Sequence, residues 1–363
     1  MGARIFSPRV WKRSWIVDRR WKPRFEIDAL FEPAGFRDPL VGWFSKSGRD
    51  YPWRRTRDAY AILVSEVMLQ QTQIATVLGR EYFTRFLTTF PHLQELADAD
   101  DERLLKAWEG LGYYRRVRML RETARAVIDR HGGTFPTELT ALMKLPGVGR
   151  YTAGAVRAFA FDLPAVLVDG NVARVLSRLM DFTGPIDDSA GQKQILAYAA
   201  ILTDPLRPRL YNSALMELGQ LICRPGVPDC LNCPVAKLCR SREPAALPVK
   251  RPAVAVTAVD EHALWLTDAR GRLLLHRESA KRREGLWKLP TRAAEEIAHL
   301  PVLAEDIYTI TRYRVRLRVH DGSRLAPNFQ PAAGEEWREM AELAGLAMPS
   351  PFRRMIDRLG GDL

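Results

Sequence analysis

The chain has 363 residues, 47% of them hydrophobic and 27% charged, with a formal net charge of +12. This is the composition of an ordinary globular protein, and the length suggests two domains. No stretch approaches the run of about 18 apolar residues that a membrane helix needs. The cationic excess favours a polyanionic partner, nucleic acid first among them.

The amino terminus, "MGARIFSPRVWKRSWIVDRRWKPR", carries eight Lys/Arg against Asp18 alone. It holds no apolar core of signal-peptide length. Residues 1–33 are expected to form a solvated or disordered basic arm; a nucleic-acid contact and a targeting presequence are the alternatives. Residues 34–60 lead in through "YPWRR". From Asp58, an N-cap, a helix reads "DAYAILVSEVMLQ" and breaks near "QQTQ". One amphipathic helix is expected through "TVLGREYFTRFLTTF". Two more should flank the Gly110–Gly112 break, the second ending at Gly132 and Gly133. Helical periodicity then continues through "TELTALMKLPGVGRYTAGAVRAFAF", "AVLVDGNVARVLSRLMDF" and "NSALMELGQLIC", so it dominates from about 58 to 240.

The pattern changes after a proline-rich linker at 241–253. Short alternating runs follow: "AVAVTAV", "HALWLT", "RLLLHRE" and "YTITRYRVRLRVH". The last reads as a strand with Val315, Leu317 and Val319 on a dry face and Arg314, Arg316 and Arg318 opposite. That basic face either sits in solvent or meets an anion. A helix over "PSPFRRMIDRL" closes an α+β domain.

All four cysteines fall within seventeen residues, as Cys223-x6-Cys230-x2-Cys233-x5-Cys239. In a reducing compartment such a group means metal rather than a disulfide framework. One tight pair, two loose ones and turn-stiffening prolines suit an iron–sulfur cluster better than one zinc ion, which remains the alternative.

Three motifs carry chemistry. In "LPGVGRYTAGAV", Gly147, Val148 and Gly149 form a tight hairpin before a helix whose first N–H groups are free. Such a hairpin grips a phosphate without reading sequence, or is a plain turn between helices. In "SEVMLQQTQ", Glu66 lies in a mostly apolar helix, where burial keeps a carboxyl protonated and fit for general-acid work; a surface glutamate is the alternative. Gln70 and Gln71 fill a gap in a base stack or end the helix. In "VLVDGNV", Asp169 caps a helix whose N–H groups favour its anion. Two carboxyls tuned apart suit cleavage of a glycosidic bond.

Together the hairpin, the aspartate after it and the cysteine loop resemble the helix-hairpin-helix DNA glycosylase superfamily. Within it, "SEVMLQQTQ", "GLGYY" and "LPGVGRYTAGA" are similar to the MutY-type adenine DNA glycosylases, strongly over residues 40–240. More weakly, "GLWKLP" and "MPSPFRR" resemble that family's Nudix-like domain. The resemblance implies a multidomain fold: the basic arm at 1–33, then an all-α helix-hairpin-helix core at 34–240. That core divides into a six-helix part, about 61–165, and a cluster part of 34–60 plus 166–240. The linker at 241–253 and a Nudix-like α+β domain at 254–363 follow.

The implied activity is removal of adenine mispaired with 8-oxoguanine or guanine in double-stranded DNA, by a monomer acting off the membrane. Its compartment would be a bacterial cytoplasm, at the nucleoid, or a eukaryotic nucleus or mitochondrion. Glu66 matches the acid that protonates adenine, and Asp169 the carboxylate that stabilises the cationic sugar. Arg54 and Asn171 match pocket positions, and Gln71 and Tyr113 residues that enter the duplex. Cys223, Cys230, Cys233 and Cys239 match the [4Fe–4S] ligands. Tyr151 stands where lyase relatives carry an amine nucleophile, which implies a monofunctional enzyme using water. A mismatch thymine DNA glycosylase and a non-catalytic DNA-binding protein on the same scaffold are the rivals.

Two departures are visible. The family's lesion-reading segment ends in histidine, whereas this chain has Thr311, which keeps the hydroxyl, followed by Arg312, which would donate to the lesion or bind a phosphate of the DNA. "GLWKLPTRAAEE" lacks an acid cluster for Mg²⁺, so no nucleotide hydrolysis is expected there.

Overall fold

The computed structural model describes residues 32–252, 255–279 and 283–361. The basic arm expected at 1–33 therefore lies almost wholly outside the described residues. The chain forms two compact units, each from two separate stretches. One joins the segment ending at Asp50 to Arg157–Arg251; the other joins Tyr51–Val156 to Pro252–Leu363.

The first unit is helical. Helices Pro33–Ser47, Gly170–Leu179, Ser189–Leu202 and Pro208–Leu221 pack around Phe36, Leu40, Leu176, Tyr211 and Leu218. The first was unforeseen in the lead-in. Proline at its start and Phe36, Leu40 and Val41 on one face account for it. Asp188 caps the Ser189 helix by accepting from the Gly191 amide at 2.7 Å. Gly191 is required there, since a Cβ would lie 1.8 Å from the Pro185 carbonyl oxygen.

The second unit has a helical half and a sheet half. In the helical half, Ala59–Met68 is buried along its whole length, and Asp58 caps it through the amides of Tyr60 (3.1 Å) and Ala61 (3.2 Å). Phe86 meets Trp108 edge-on, with ring centroids 5.6 Å apart. The single helix expected over 76–90 is instead two, Ile74–Gly79 and Tyr82–Thr89. Glu81 between them adopts a left-handed φ of 52°, which reverses the chain before the second helix.

The sheet half contains β1 (Thr257–Trp265), β2 (Leu273–Arg277), β3 (Trp287–Lys288), β4 (Thr291–Arg292), β5 (Val302–Ile310), β6 (Tyr313–Asp321) and β7 (Glu335–Arg338). They form two sheets, ordered β4-β1-β6-β5 and β3-β2-β7. β1 and β6 pair in parallel; the other pairs are antiparallel. With helix Ser350–Gly360 they enclose Leu275, Leu317, Val319, Phe352 and Met355, giving the expected α+β arrangement.

Two readings of this region need correction. "AVAVTAV" and "HALWLT" contribute to one strand, β1, which starts at Thr257. "YTITRYRVRLRVH" is a hairpin rather than a strand: Thr311 and Arg312 form the turn between β5 and β6, with Thr311 at a left-handed φ of 54°. The alternation holds within β6, where Val315, Leu317 and Val319 are buried and Arg314 and Arg316 are exposed.

Glu109 joins the two halves of this unit. It accepts from the Met348 amide at 3.2 Å and from Arg353 Nε at 3.1 Å. The buried Tyr114 phenol donates to the Met348 carbonyl at 3.0 Å.

Candidate nucleic-acid interface and catalytic residues

In the second unit a cavity of about 940 Å³ gathers most of the residues expected to touch DNA. Gln70, Gln71, Tyr113, Gly147, Val148 and Thr311 line it, with Arg283, Tyr308 and Arg354 from the sheet half. Tyr113 is 48% exposed, so the core aromatic of this loop is its neighbour Tyr114, at 5%. Gln71 and Tyr113 both take left-handed backbone angles, with φ of 57° and 46°. Each therefore sits at the tip of a tight turn, and neither belongs to a helix.

Arg116 supports both turns, and sequence reasoning passed over it. Its guanidinium donates to the carbonyls of Val67 (2.9 Å), Met68 (3.1 Å) and Gln70, closing the end of the Glu66 helix. It also donates to Leu111 (2.9 Å) and Gly112 (3.2 Å) in the glycine loop. Burial pulls this guanidinium down to about 10, which still leaves it a cation at neutral pH. Nothing in "GLGYYRRVR" marks Arg116 apart from Arg115 or Arg118, so only the fold could identify it.

The hairpin is tight for a local reason. Gly147 has φ of 72°, and a Cβ there would lie 2.8 Å from Met119 Cβ. Thr123 Oγ1 donates to the Pro146 carbonyl at 2.5 Å and fixes the turn. The helix Arg150–Phe161 follows at once, and Tyr151, in its first turn, is half-buried. Gly149 and Arg312 are not among the residues lining the cavity. Glu66 is 7% exposed within its apolar helix, and the surface alternative for it is thereby excluded. Arg54 lies in the short turn Pro52–Arg54, its guanidinium 4.7 Å from the Tyr51 ring centroid.

In the first unit Asp169 is the N-cap of Gly170–Leu179, as its sequence context suggested. Its Oδ1 accepts from the Val172 amide at 2.7 Å, and its Oδ2 from Asn171 Nδ2 at 3.0 Å. Both oxygens are thus oriented by donors. Asn171 Oδ1 in turn accepts from Arg174 Nη2 at 2.8 Å. Arg174 also donates to the carbonyls of Gly219 (2.6 Å) and Cys223 (2.8 Å). Gly219 admits this contact, because a Cβ there would fall 2.7 Å from Asn171 Cβ.

The cysteine loop folds around a second buried arginine. Arg178, 1% exposed, donates to the carbonyls of Leu247 (3.0 Å), Arg224 (2.8 Å) and Gly226 (3.0 Å), and to Cys223 Sγ at 3.4 Å. Cys223 and Cys233 rest against the helical core, and Cys230 and Cys239 are exposed. Burial pushes the Cys233 thiol up to about 11, and the charges of the other three cysteines add to that rise. Cys233 is therefore within electrostatic reach of the other three thiols. Among the described residues, no three His, Cys, Asp or Glu side chains stand close enough to hold a single metal ion. Arg174 and Arg178 were both missed from sequence, where they are two helical arginines among many.

Residues 64–195 match the family described as the HhH-GPD superfamily base excision DNA repair protein. A solved thermostable thymine-DNA glycosylase shares 30% identity and a TM-score of 0.53, covering 58% of this chain and 96% of that one. The chain belongs to the HhH-GPD superfamily of base excision DNA repair proteins. Among curated proteins it is similar to the adenine DNA glycosylases. It is 46% identical to the human one, over 58% of this chain and 40% of that protein. It is 35% identical to that of Buchnera aphidicola subsp. Baizongia pistaciae, over 57% of this chain and 58% of that protein. The chain thus spans about half the length of the curated relatives it matches.

Proposed function

We propose that this protein is a monofunctional adenine DNA glycosylase that hydrolyses the N-glycosidic bond of adenine mispaired with 8-oxoguanine or guanine. The adenine must leave the base stack before any side chain can reach it. Glu66, buried in an apolar helix, donates a proton to the departing base and then handles the incoming water. Asp169 supplies negative charge to the cationic sugar. The observation that carries the reading is the pair of donors that hold Asp169: the Val172 amide and the Asn171 amide group. An anion oriented in this way is what an oxocarbenium-like transition state requires. Asn171, Arg54 and Tyr151 shape the adenine pocket, and the Tyr151 phenol offers no amine for Schiff-base chemistry, so strand cleavage is not coupled to excision. The phosphate grip is assigned to Gly147, Val148 and Gly149. Gln70, Gln71 and Tyr113 fill the space around the lesion, and the Nudix-like carboxyl-terminal domain brings the Thr311–Arg312 turn to the DNA beside it.

A [4Fe–4S] cluster belongs to this reading. Four soft thiol donors in one loop, with Arg174 and Arg178 donating at Cys223, suit a cluster better than a single ion. Cys223, Cys230, Cys233 and Cys239 would hold it. It would stabilise the loop and bring Arg224, Lys237 and Arg240 to DNA phosphates. The enzyme acts as a monomer at the nucleoid if bacterial, and in the nucleus or mitochondrion if eukaryotic.

The solved thymine-DNA glycosylase at 30% identity favours a second reading, excision of mismatched thymine. Single-turnover excision on A opposite 8-oxoguanine, A opposite G, T opposite G and A opposite T separates the two. Adenine release fastest opposite 8-oxoguanine, strand breaks that need alkali, and loss of both in Glu66→Gln support the first. Thymine release supports the second, and breaks without alkali refute the monofunctional assignment.

A further inference from the structure

The exposed face of the β1-β6-β5 sheet carries four arginines at alternate positions, Arg312, Arg314, Arg316 and Arg318, and their surroundings differ in a graded way. Arg318, furthest from the hairpin tip, is neutralised twice: by Glu305 across β5 at 2.9 Å and by Asp260 on β1 at 3.7 Å. Arg316 has Ile307 opposite it on β5 and reaches Asp260 at 4.0 Å. Arg314 is exposed, and its cross-strand neighbours, Thr309 and Ala258, carry no charge. Arg312, in the turn itself, is exposed and lies over the Tyr313 ring, 5.2 Å from its centroid, with a hydrogen bond to the phenol at 3.1 Å. A merely solvated sheet face interleaves its signs, because like charges on neighbouring positions repel. The half of β6 away from the tip follows that rule, and the half next to it does not.

The tip also has a fixed place. Thr311 lines the cavity that gathers Gln71, Tyr113 and Gly147, whereas Arg312 rests on Tyr313. The uncompensated cations therefore start at the turn whose Thr311 lines the cavity and continue along β6, about 6.6 Å apart at alternate strand positions. The Arg312 carbonyl accepts from the Thr257 amide at 2.9 Å, which ties the tip to β1.

We propose that Arg312 and Arg314 form a phosphate-binding track on the outer face of the hairpin. It grips the DNA backbone beside the lesion cavity and does not read the base opposite adenine. The proposal rests on duplex DNA being the partner, as in the function above. It assigns base contact at the tip to Thr311 alone, and it gives the arginine that replaces histidine a role independent of sequence.

The test is the salt dependence of equilibrium binding. The full-length protein, Arg312→Ala, Arg314→Ala, the double variant and Arg318→Ala would be titrated with two duplexes. One is undamaged; the other carries A opposite 8-oxoguanine. Each neutralised phosphate contributes about 0.9 to the slope of log K against log salt. Arg312→Ala and Arg314→Ala should each flatten the slope by about that amount and weaken both duplexes by the same factor. Arg318→Ala, already paired, should leave the slope unchanged. Arg314→Gln should behave as Arg314→Ala and so controls for packing. An unchanged slope in the first two variants overturns the track, as does a loss confined to the lesion duplex or an equal loss in Arg318→Ala. Binding to undamaged duplex needs no turnover, so failure to excise adenine would refute the glycosylase assignment without touching this result.

Discussion

Glu109 and Arg353 are bound at 3.1 Å, 244 residues apart in sequence, and the same carboxylate oxygen takes the Met348 amide at 3.2 Å. Both side chains are largely buried, at 17% and 18% exposure. Removing Glu109 leaves Arg353 Nε and the Met348 amide without this acceptor, while the rest of the guanidinium still donates to the Leu343 and Leu346 carbonyls. Glu109→Ala should cost about 2–3 kcal/mol of stability, read as a lower midpoint in urea denaturation. A loss below about 0.5 kcal/mol would show that the halves of this unit are held by other contacts.

Arg116 predicts a loss of binding rather than of chemistry. Its guanidinium closes the Glu66 helix and holds the loop that carries Tyr113. Arg116→Met should free several buried carbonyls and cost about 3 kcal/mol. Duplex affinity should fall more than tenfold as the turns at Gln71 and Tyr113 relax. Amide hydrogen exchange would accelerate across 67–72 and 111–116; unchanged exchange there would contradict the role.

Gly219 offers a test of the Asp169 site from outside it. Alanine at a helical glycine ordinarily stabilises by about 1 kcal/mol. Here its Cβ would fall 2.7 Å from Asn171 Cβ, displacing the amide group that donates to Asp169. Gly219→Ala should slow single-turnover excision at least tenfold, and Asn171→Ala should resemble it. Full activity in Gly219→Ala would mean that Asn171 does not position the carboxylate.

Glu335 gives the molecule an acid-sensitive point. Burial alone would raise its carboxyl, but Arg292, at 2.7 Å, and the Ala332 amide outweigh that and hold it below the usual range. A carboxyl depressed on folding contributes stability that is present above its unfolded value, about 4.3. That contribution is lost as pH falls through the folded value. Melting temperatures of wild type and Glu335→Gln should therefore differ fully above about pH 5 and converge only below about pH 4, as the pH falls through the depressed folded value. A gap that widened on acidification would reverse the sign and refute the account.

The helices around the site were legible where periodicity and caps agree, as at Asp58, Asp169 and Gly132. The hairpin at Gly147 was also readable; for Glu66 the apolar run "AILVSEVM" left a buried and a surface carboxyl both open, and only the fold decides between them. What could not be read depends on distant partners. Arg116, Arg174 and Arg178 look like any helical arginines until the fold brings carbonyls to them. The β5–β6 turn was hidden because Thr311 and Arg312 are poor turn formers, and alternation runs unbroken through "YTITRYRV". The pairing of Tyr51–Val156 with the carboxyl-terminal sheet left no local signal, since Glu109 and Met348 are ordinary residues in their own segments.

The interleaving of the two units fixes the order in which they are completed during synthesis. Tyr51–Val156 emerges early, yet Glu109 and Tyr114 meet Met348 only 239 and 234 residues later. The first unit can close once Arg251 has emerged, while Glu109 and Tyr114 still lack the partner they hold in Met348. A chain stopped shortly after Arg251 would hold one finished unit beside an unfinished one, the state in which chaperones bind and proteases cut. Late premature stops in this protein should thus act through its abundance, well before any question of lesion recognition arises.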